Sequence, residues 1–223
     1  MPMKVIGVNG SPRKKWNTAI LLEKALEGAA SQGADTELVH LYDLSFKGCV
    51  SCFSCKTKGG KSYGRCGYKD ELTPVLEKIE TVDAFVLGSP VYLGVVTGEM
   101  RSFMERLIFA YLTYTDPLQS LFPKKIRTGF IYTMNVTAEA MKKRNYGLHF
   151  DLNETYLKTI FGAAESLFCC DTYQFNDYSK MTAERFDAEK KARRRREIFP
   201  EDCRKAYEMG ARSVQPNDTT IIS

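Results

Sequence analysis

The sequence predicts an α/β fold in which helices cover both faces of a doubly wound, five-stranded parallel sheet. Short apolar runs alternate with amphipathic runs five times along the chain, and this alternation is typical of parallel strands joined by right-handed helical crossovers. The run at 84–88 is apolar at every position, as in a strand buried on both faces. A polar loop follows the first strand. Five strands with such a loop after the first are typical of the flavodoxin-like strand order.

The individual elements follow from local periodicity and from their end signals. The first helix, for example, repeats apolar residues on one side from Ile20 to Ala29, and Gly33 is a usual residue just after a helix end. Predicted strands occupy residues 4–9, 36–41, 84–88, 129–133 and 166–170. Predicted helices occupy residues 17–32, 70–79, 98–111, 138–144, 152–161 and 183–214, the last divided near Pro200.

One large domain is the expected organisation. Residues 1–180 are expected to form a flavodoxin-like domain, with a cysteine-bearing loop at 43–69. Residues 181–223 are expected to form a helical extension that packs on the same domain or on a partner subunit. The chain is 43% apolar and 26% charged, which is ordinary for a globular protein.

No membrane partner is expected, because no apolar run reaches about 18 residues. The N-terminus enters a strand directly and lacks the apolar segment of a signal peptide. We therefore expect a cytoplasmic location.

The formal charge of +5 is concentrated in one basic run, residues 190–196. This run contributes six positive charges and leaves −1 for the rest of the chain. It could bind nucleic acid or another anionic partner, but neither interleaved aromatic residues nor a nucleic-acid module accompanies it. We interpret it as the solvated face of a helix, beside Glu189 and Glu197, and expect no nucleic-acid partner.

The loop after the first strand, Asn9–Thr18, has the residues of a phosphate site. It offers the hydroxyls of Ser11 and Thr18, the amide of Asn17 and the guanidinium of Arg13. The helix that follows adds unpaired N–H groups and the positive end of its dipole. Neither the Walker pattern nor the dinucleotide fingerprint fits, so a single phosphomonoester such as that of FMN is favoured. Capping of the helix by Ser11 or Asn17 is the structural alternative.

Two further loops are expected at the same edge of the sheet, after the third and fourth strands. The loop Gly88–Gly94 combines small residues, which let the backbone approach a planar ring, with Tyr92, which could stack on that ring. The loop Thr133–Thr137 is short and polar. The alternatives are a Pro-Gly turn with Tyr92 in the core, and a helix cap by Asn135 or Thr137.

Four of the seven cysteines lie close together, spaced Cys49-x2-Cys52-x2-Cys55-x10-Cys66. In a chain without an export signal, such a group indicates metal binding or redox chemistry before a disulfide framework. Three tightly spaced thiolates and a fourth further on can hold a [4Fe–4S] cluster. A zinc site, or free or disulfide-bonded thiols without metal, are the alternatives. The other three are expected to be ordinary thiols, the first two in a buried strand: Cys169, Cys170 and Cys203.

Three motifs carry a resemblance to a known family: Asn9–Arg13 with Asn17-Thr18, Gly88–Tyr92 with Gly94 and Gly98, and Arg101–Arg106. Together they resemble the NADPH-dependent FMN reductase-like branch of the flavodoxin superfamily. Within that branch, the cysteine loop followed by Lys69-Asp70-Glu71 is similar to the iron–sulfur flavoproteins. The likeness covers about residues 3–175, and the gap before Cys66 is longer than in those proteins.

The resemblance implies FMN as the cofactor and a set of contacts to it. Implied phosphate contacts come from Ser11, Arg13, Asn17 and Thr18. Implied isoalloxazine contacts come from Pro90, Val91, Tyr92, Leu93 and Gly94, with further contacts from Thr133 and Asn135. Family members are commonly dimers or tetramers, so a homodimer or homotetramer is expected.

The sequence therefore predicts an FMN-dependent oxidoreductase or electron-transfer flavoprotein, with a [4Fe–4S] cluster as an open question. The donor would be NAD(P)H or a reduced carrier, and the partners would be small-molecule or protein electron donors and acceptors. No catalytic side chain is assigned, because the flavin carries the chemistry and neither His40, in the second strand, nor His149, in a connecting segment, has a triad-like setting. The alternatives are a non-enzymatic redox-sensing or protein-binding module and another kind of phosphate-binding α/β domain.

Overall fold

The computed structural model describes residues 1–215, which contain six strands and seven α-helices. The strands are β1 (Lys4–Asn9), β2 (Asp35–His40), β3 (Ala84–Tyr92), β4 (Val95–Val96), β5 (Ile126–Thr133) and β6 (Gly162–Cys169). The helices are α1 (Asn17–Ser31), α2 (Thr73–Ile79), α3 (Gly98–Tyr111), α4 (Ala138–Lys143), α5 (Gly147–Phe161), α6 (Ala188–Glu197) and α7 (Phe199–Ser213).

Five of the strands form one parallel sheet in the order β2-β1-β3-β5-β6. Val8 of β1 is in register with Val39 of β2 on one side and with Leu87 of β3 on the other. The sixth strand, β4, is two residues long and pairs antiparallel with the end of β3. The predicted doubly wound, flavodoxin-like sheet is thus confirmed, and within the described chain β4 is the strand that the sequence did not predict.

Apolar layers on both faces hold the helices on the sheet. On one face α2, α3 and α5 pack around an aromatic cluster, in which the rings of Phe85 and Phe122 lie 4.9 and 4.8 Å from that of Phe161. On the other face α1 and α7 pack against Val86 and Ile131. Because β3 is covered on both faces, each residue from 84 to 89 is buried, which explains its unbroken apolar run.

The last described helix, α7, lies directly against α1 of the same chain through two glycines. A Cβ atom on Gly210 would lie 1.7 Å from the backbone oxygen of Ala25, and one on Gly28 would lie 1.9 Å from that of Tyr207. The two helix backbones therefore touch where side chains would normally separate them. The extension expected over 181–223 consists of α6 and α7 in the described chain, and its last eight residues lie outside the described residues.

Several predicted boundaries are wrong, each for a local reason. β3 continues to Tyr92 rather than ending at Gly88, because its end pairs with β4 in a hairpin. β6 begins at Gly162 rather than at 166, since an edge strand pairs on one side only and needs no continuous apolar run. β5 begins at Ile126 rather than at 129, in register with the earlier start of β6.

The helix boundaries and two side-chain placements also need correction. α2 begins at Thr73 rather than at 70, because the Asp70 side chain accepts a hydrogen bond from the Leu72 N–H and holds that stretch in a turn. α5 begins at Gly147, so His149 lies in a helix and not in a connecting segment. Cys169 is buried in β6, whereas Cys170 follows the strand and is half-buried. Among the described residues, none of the helices has both the length and the apolar character needed to cross a membrane.

Candidate flavin and cysteine sites

The phosphate loop, Asn9–Thr18, is a compact turn built from its own polar groups. The backbone N–H of Ser11 donates to Asn9 Oδ1 at 3.0 Å, and the N–H of Arg13 donates to Ser11 Oγ at 3.2 Å. Asn9 and Ser11 are both buried. The loop is therefore shaped before any ligand arrives.

The N-terminus of α1 is open to an anion. Among residues 1–215, no side chain caps this helix, and its first turn carries no acidic residue. The sequence-based alternative that Ser11 or Asn17 caps α1 is therefore wrong. Instead, three cationic residues precede the helix, Arg13, Lys14 and Lys15. Uncapped N–H groups beside fixed positive charge are the usual components of a phosphate site.

The other two residues predicted for this loop have buried partners of their own. The Asn17 amide donates from Nδ2 to the backbone oxygen of Tyr173 at 2.9 Å. The Thr18 hydroxyl shares a 2.7 Å hydrogen bond with that of Thr133, which links the first predicted loop to the third. Both Asn17 and Thr18 are almost fully buried, so their side chains fix the shape of the loop.

A chain segment that the sequence did not assign to the site holds the phosphate loop from outside. Trp16 donates from Nε1 to the Tyr173 oxygen at 3.1 Å, and Arg13 donates from Nη1 to the Gln174 oxygen at 2.6 Å. Arg195 of α6 donates from Nη1 to Asn17 Oδ1 at 2.7 Å. The basic run was the available signal for this contact.

The interpretation of that basic run as a solvated face is correct for only part of it. Arg193 and Arg196 are exposed. Lys191 is buried and forms a 2.5 Å ion pair with Asp171. Two further members of the run, Arg194 and Arg195, are partly buried. Half of the run therefore packs against the carboxyl edge of the sheet.

The second predicted loop forms a hairpin, Pro90–Val96, that projects from this edge. Its tip places Leu93 and Gly94 at φ +53° and +91°, and Leu93 is fully exposed while Tyr92 is 47% exposed. The alternative that Tyr92 fills the core is therefore wrong. Partial burial lowers the pKa of Arg13, against an opposing interaction with the Tyr92 hydroxyl, so the hairpin and the phosphate loop are neighbours.

Buried hydroxyls fix the hairpin to the phosphate loop. Thr97 donates from Oγ1 to the Gly10 oxygen at 2.7 Å, and it also caps α3 by accepting from the Met100 N–H. The Ser89 hydroxyl accepts from the Thr97 N–H at 3.0 Å. Both side chains are about fully buried, so the spacing between the two loops is set by the protein alone.

The third predicted loop contributes one buried acceptor without a donor. Within the described residues, Asn135 Oδ1 has no hydrogen-bond partner although it is shielded from solvent. Thr137 caps α4 by accepting from the Ala140 N–H at 3.2 Å, so the capping alternative is correct for Thr137 and wrong for Asn135. Thr133 is buried and bonded to Thr18.

The cysteine loop, residues 43–69, brings its four cysteines around one small cavity between that loop and α3. Cys49 and Cys52 are exposed, Cys55 is buried and Cys66 is half-buried, all as free thiols. Ser51 and Phe53 adopt positive φ values of +53° and +56°. In the structure described for 1–215, no three His, Cys, Asp or Glu side chains are yet arranged as a metal-binding group.

A buried arginine of α3 closes the cysteine loop. The Arg106 guanidinium donates to the backbone oxygens of Lys47 and Tyr68, at the start and end of the loop, and forms a 2.5 Å ion pair with Asp70. Its Nε also donates to Cys66 Sγ at 3.3 Å. The Arg106 side chain is fully buried, and sequence reasoning placed it in a family motif without a role.

Burial and hydrogen bonding give the loop thiols different acidities. Hydrogen bonds from Ser54 lower the pKa of Cys52. Burial raises the pKa of Cys55, against the opposing charge of Lys56. Positive charge from Lys56 and Arg106 beside the thiols suits a site that is to carry anionic sulfur.

Residues 3–124 match the family model of NADPH-dependent FMN reductase. The chain belongs to this family. Curated relatives include an iron–sulfur flavoprotein of Methanocaldococcus jannaschii, 38% identical over 104 residues, which are 47% of this chain and 51% of the relative. An iron–sulfur flavoprotein of Archaeoglobus fulgidus is 39% identical over 104 residues, 47% of this chain and 48% of the relative. The chain thus spans about half the length of the curated relatives it matches.

Solved structures of similar fold cover nearly the whole chain. The NAD(P)H:quinone oxidoreductase of Methanothermobacter marburgensis superposes with a TM-score of 0.70 at 13% identity, over 95% of this chain and 98% of that one. An azoreductase of Bacillus anthracis superposes with a TM-score of 0.65 at 13% identity, over 94% and 99% of the two chains. These likenesses support the flavodoxin-like fold.

Proposed function

We propose that the protein binds FMN at the carboxyl edge of the sheet and acts as an FMN-dependent oxidoreductase. The observation that carries this proposal is the pairing, at one edge, of an uncapped α1 N-terminus with an exposed apolar hairpin. FMN joins a phosphate to a planar ring and needs both surfaces. The buried Thr97–Gly10 contact keeps these surfaces at a fixed separation.

The residues of the site divide the cofactor between them. Bound FMN supplies the hydride and electron chemistry itself. Ser11, Arg13 and the first N–H groups of α1 would hold its phosphate, while Asn17 and Thr18 keep the loop in shape through their buried bonds. Ring contacts are assigned to Pro90, Val91, Tyr92, Leu93 and Gly94, and to Thr133 and Asn135. The unpaired Asn135 Oδ1 offers an acceptor there.

We further propose that the cysteine loop holds a [4Fe–4S] cluster through Cys49, Cys52, Cys55 and Cys66. All four line one cavity, and Arg106 already donates to the Cys66 sulfur. Hydrogen bonds to cluster sulfurs and nearby cations stabilise the reduced, more negative state. A bound cluster would require the four sulfurs to draw together, because the described residues hold no preformed metal group.

NAD(P)H or a reduced carrier is the proposed donor, and a small molecule or a second redox protein is the proposed acceptor. A homodimer or homotetramer is the proposed assembly. Its interface would include the stripe Leu148, Leu152 and Tyr156, which is exposed on α5 at four-residue spacing. A cavity of about 420 Å³ lies beside this stripe and extends to Cys49, so the assembly would cover the cysteine loop.

Redox sensing is a second candidate function, and the exposed thiols of Cys49 and Cys52 favour it. In that case the two thiols would be oxidised and reduced directly, without bound iron. Iron analysis separates this candidate from the cluster proposal.

The test is an absorption spectrum of anaerobically purified protein, with iron and acid-labile sulfide measured on the same sample. Flavin absorption with about four irons per cluster-bearing chain supports both proposals. The Cys66→Ser variant should lose iron and keep FMN, whereas Cys203→Ser, a half-buried thiol of α7, should keep both. Flavin without iron contradicts the cluster, and no retained or added FMN contradicts the function.

Turnover is tested separately. NADPH or NADH oxidation by the FMN-loaded protein should be abolished when FMN is removed and restored when it is added back. Oxidation that is independent of FMN would contradict an FMN-dependent oxidoreductase.

A further inference from the structure

The basic run of α6 contains one cation that the folded chain leaves without a counter-charge. Lys191 pairs with Asp171, and Arg194 pairs with Asp202, each at 2.5 Å. Within the described part of the chain, Arg195 forms no ion pair, and its one hydrogen bond goes to Asn17 Oδ1. The neighbouring arginines 193 and 196 are exposed to solvent instead.

Arg195 is held in a defined place rather than left free in solvent. Its guanidinium lies 3.9 Å from the ring centroid of Phe199 and 6.0 Å from that of Trp16. Burial lowers the pKa of Arg195, although an arginine remains charged at neutral pH. Of its five N–H donors, one is used by Asn17. A half-buried guanidinium with spare donors is therefore positioned for an acceptor that the chain does not supply.

A second guanidinium meets the same tryptophan. Arg13 of the phosphate loop lies 3.9 Å from the Trp16 ring centroid and bonds to the Gln174 oxygen. Like Arg195, it forms no ion pair with any residue from 1 to 215. Two arginines from opposite ends of the sequence thus gather around Trp16, directly before the uncapped N-terminus of α1.

We propose that Arg195, together with Arg13, binds a phosphomonoester, so that α6 makes the site select FMN over riboflavin. Guanidinium groups suit phosphate because their donors form a planar fork that matches its oxygens. This inference rests on the proposed function, since it assigns the phosphate to bound FMN. It also gives α6, which lies outside the matched residues 3–124, a direct part in cofactor recognition.

The alternative role for Arg195 is purely structural, since its bond to Asn17 also docks α6 on the phosphate loop. The two roles differ in what they do to flavins with and without phosphate. Loss of docking would weaken FMN and riboflavin together. Loss of a phosphate ligand would weaken FMN and leave riboflavin unchanged.

The experiment measures Kd for FMN and for riboflavin by flavin fluorescence on apo-protein, in wild type, Arg195→Gln and Arg196→Gln. Both variants remove one positive charge from α6, but Arg196 is exposed and has no contact with the loop. Arg195→Gln should weaken FMN about 10- to 100-fold, the usual effect of one charge-assisted hydrogen bond. Riboflavin affinity should change less than about 2-fold, and Arg196→Gln should leave both affinities near wild type.

Arg195→Lys provides a second arm if Arg195→Gln folds poorly, as judged by its melting temperature without flavin. Lysine keeps the charge but not the fork, so FMN affinity should fall by less than in the glutamine variant while riboflavin affinity stays constant. Equal weakening of both flavins, or an unchanged preference for FMN in the Arg195 variants, overturns the inference. Wild-type protein that binds neither flavin overturns the proposed function instead.

Discussion

Replacement of Gly210 by alanine should destabilise the protein through the contact between α7 and α1. The new Cβ would lie 1.7 Å from the Ala25 oxygen, whereas an ordinary contact begins at 3.4 Å. The two helices would therefore have to move apart by about 1.7 Å. The obstacle is a backbone oxygen, which cannot rotate away as a side chain can.

The magnitude follows from two opposed effects. Alanine in a helix interior is favoured over glycine by about 1 kcal/mol. Overpacking of a tight interface typically costs about 1–3 kcal/mol, and a gap of even 0.5–1 Å loses about a quarter to a half of each contact along it. We expect a net decrease of about 1–3 kcal/mol in the free energy of unfolding.

Urea denaturation of the flavin-free protein measures this decrease, with Gly147→Ala as the control. Gly147 begins α5, and a Cβ there meets nothing within 4 Å, so the control should be as stable as wild type or slightly more stable. The Gly28→Ala variant should also be destabilised, because its Cβ would meet the Tyr207 oxygen.

Since one separation of the helices accommodates both new methyl groups, the double variant should cost less than the sum of the two single variants. Gly210→Ala protein that is as stable as wild type would refute this account of the interface.

Three further predictions test the contacts around the two sites. Thr97→Val should lower the free energy of unfolding by about 1–3 kcal/mol, because it removes both the α3 cap and the bond to Gly10; Thr137→Val, which removes only a cap, should cost less, and equal costs would contradict a role for the Gly10 bond. Arg106→Met should lower stability by about 3–5 kcal/mol, since it leaves Asp70 and two loop carbonyls without their buried partner; the exposed Arg101→Met is the control, and iron retained in full by an Arg106 variant would contradict its assignment to the cysteine loop. Burial raises the pKa of Cys169, so the folded state keeps this proton longer than the unfolded state, and the corresponding stability is present below about pH 8.5 and is lost as the pH rises above it; urea midpoints of wild type and Cys169→Ala between pH 7 and 10 should show a flatter slope in the variant, and identical slopes would contradict the prediction.

Local sequence was sufficient for the sheet and for the positions of the three predicted loops. The apolar run at 84–88 and the polar loop at 9–18 report their own surroundings, because a strand buried on both faces and a phosphate loop each impose residue types over a few neighbouring positions. The hairpin Pro90–Val96 was read as a loop, since its two-residue partner strand is too short to give a periodic signal.

Contacts between distant parts of the chain could not be predicted in the same way. Arg195 is separated from Asn17 by 178 residues, and nothing in its composition distinguishes it from the exposed Arg196 beside it. Arg106 closes a loop whose ends it contacts across 59 and 38 residues. Which cation of a run is buried depends on helix packing, here on the glycine contact between α7 and α1, and packing leaves no mark in a single sequence.

The long-range bonds of the phosphate loop have a consequence for the order of events during synthesis. The loop emerges from the ribosome among the first residues, whereas Tyr173, Gln174 and Arg195 follow 157 to 178 residues later. At about 5–20 residues per second, this delay amounts to roughly 10–35 s. During that interval the nascent chain carries the anion-binding loop without the groups that brace it. Firm retention of a phosphorylated ligand therefore begins only after α6 has been made.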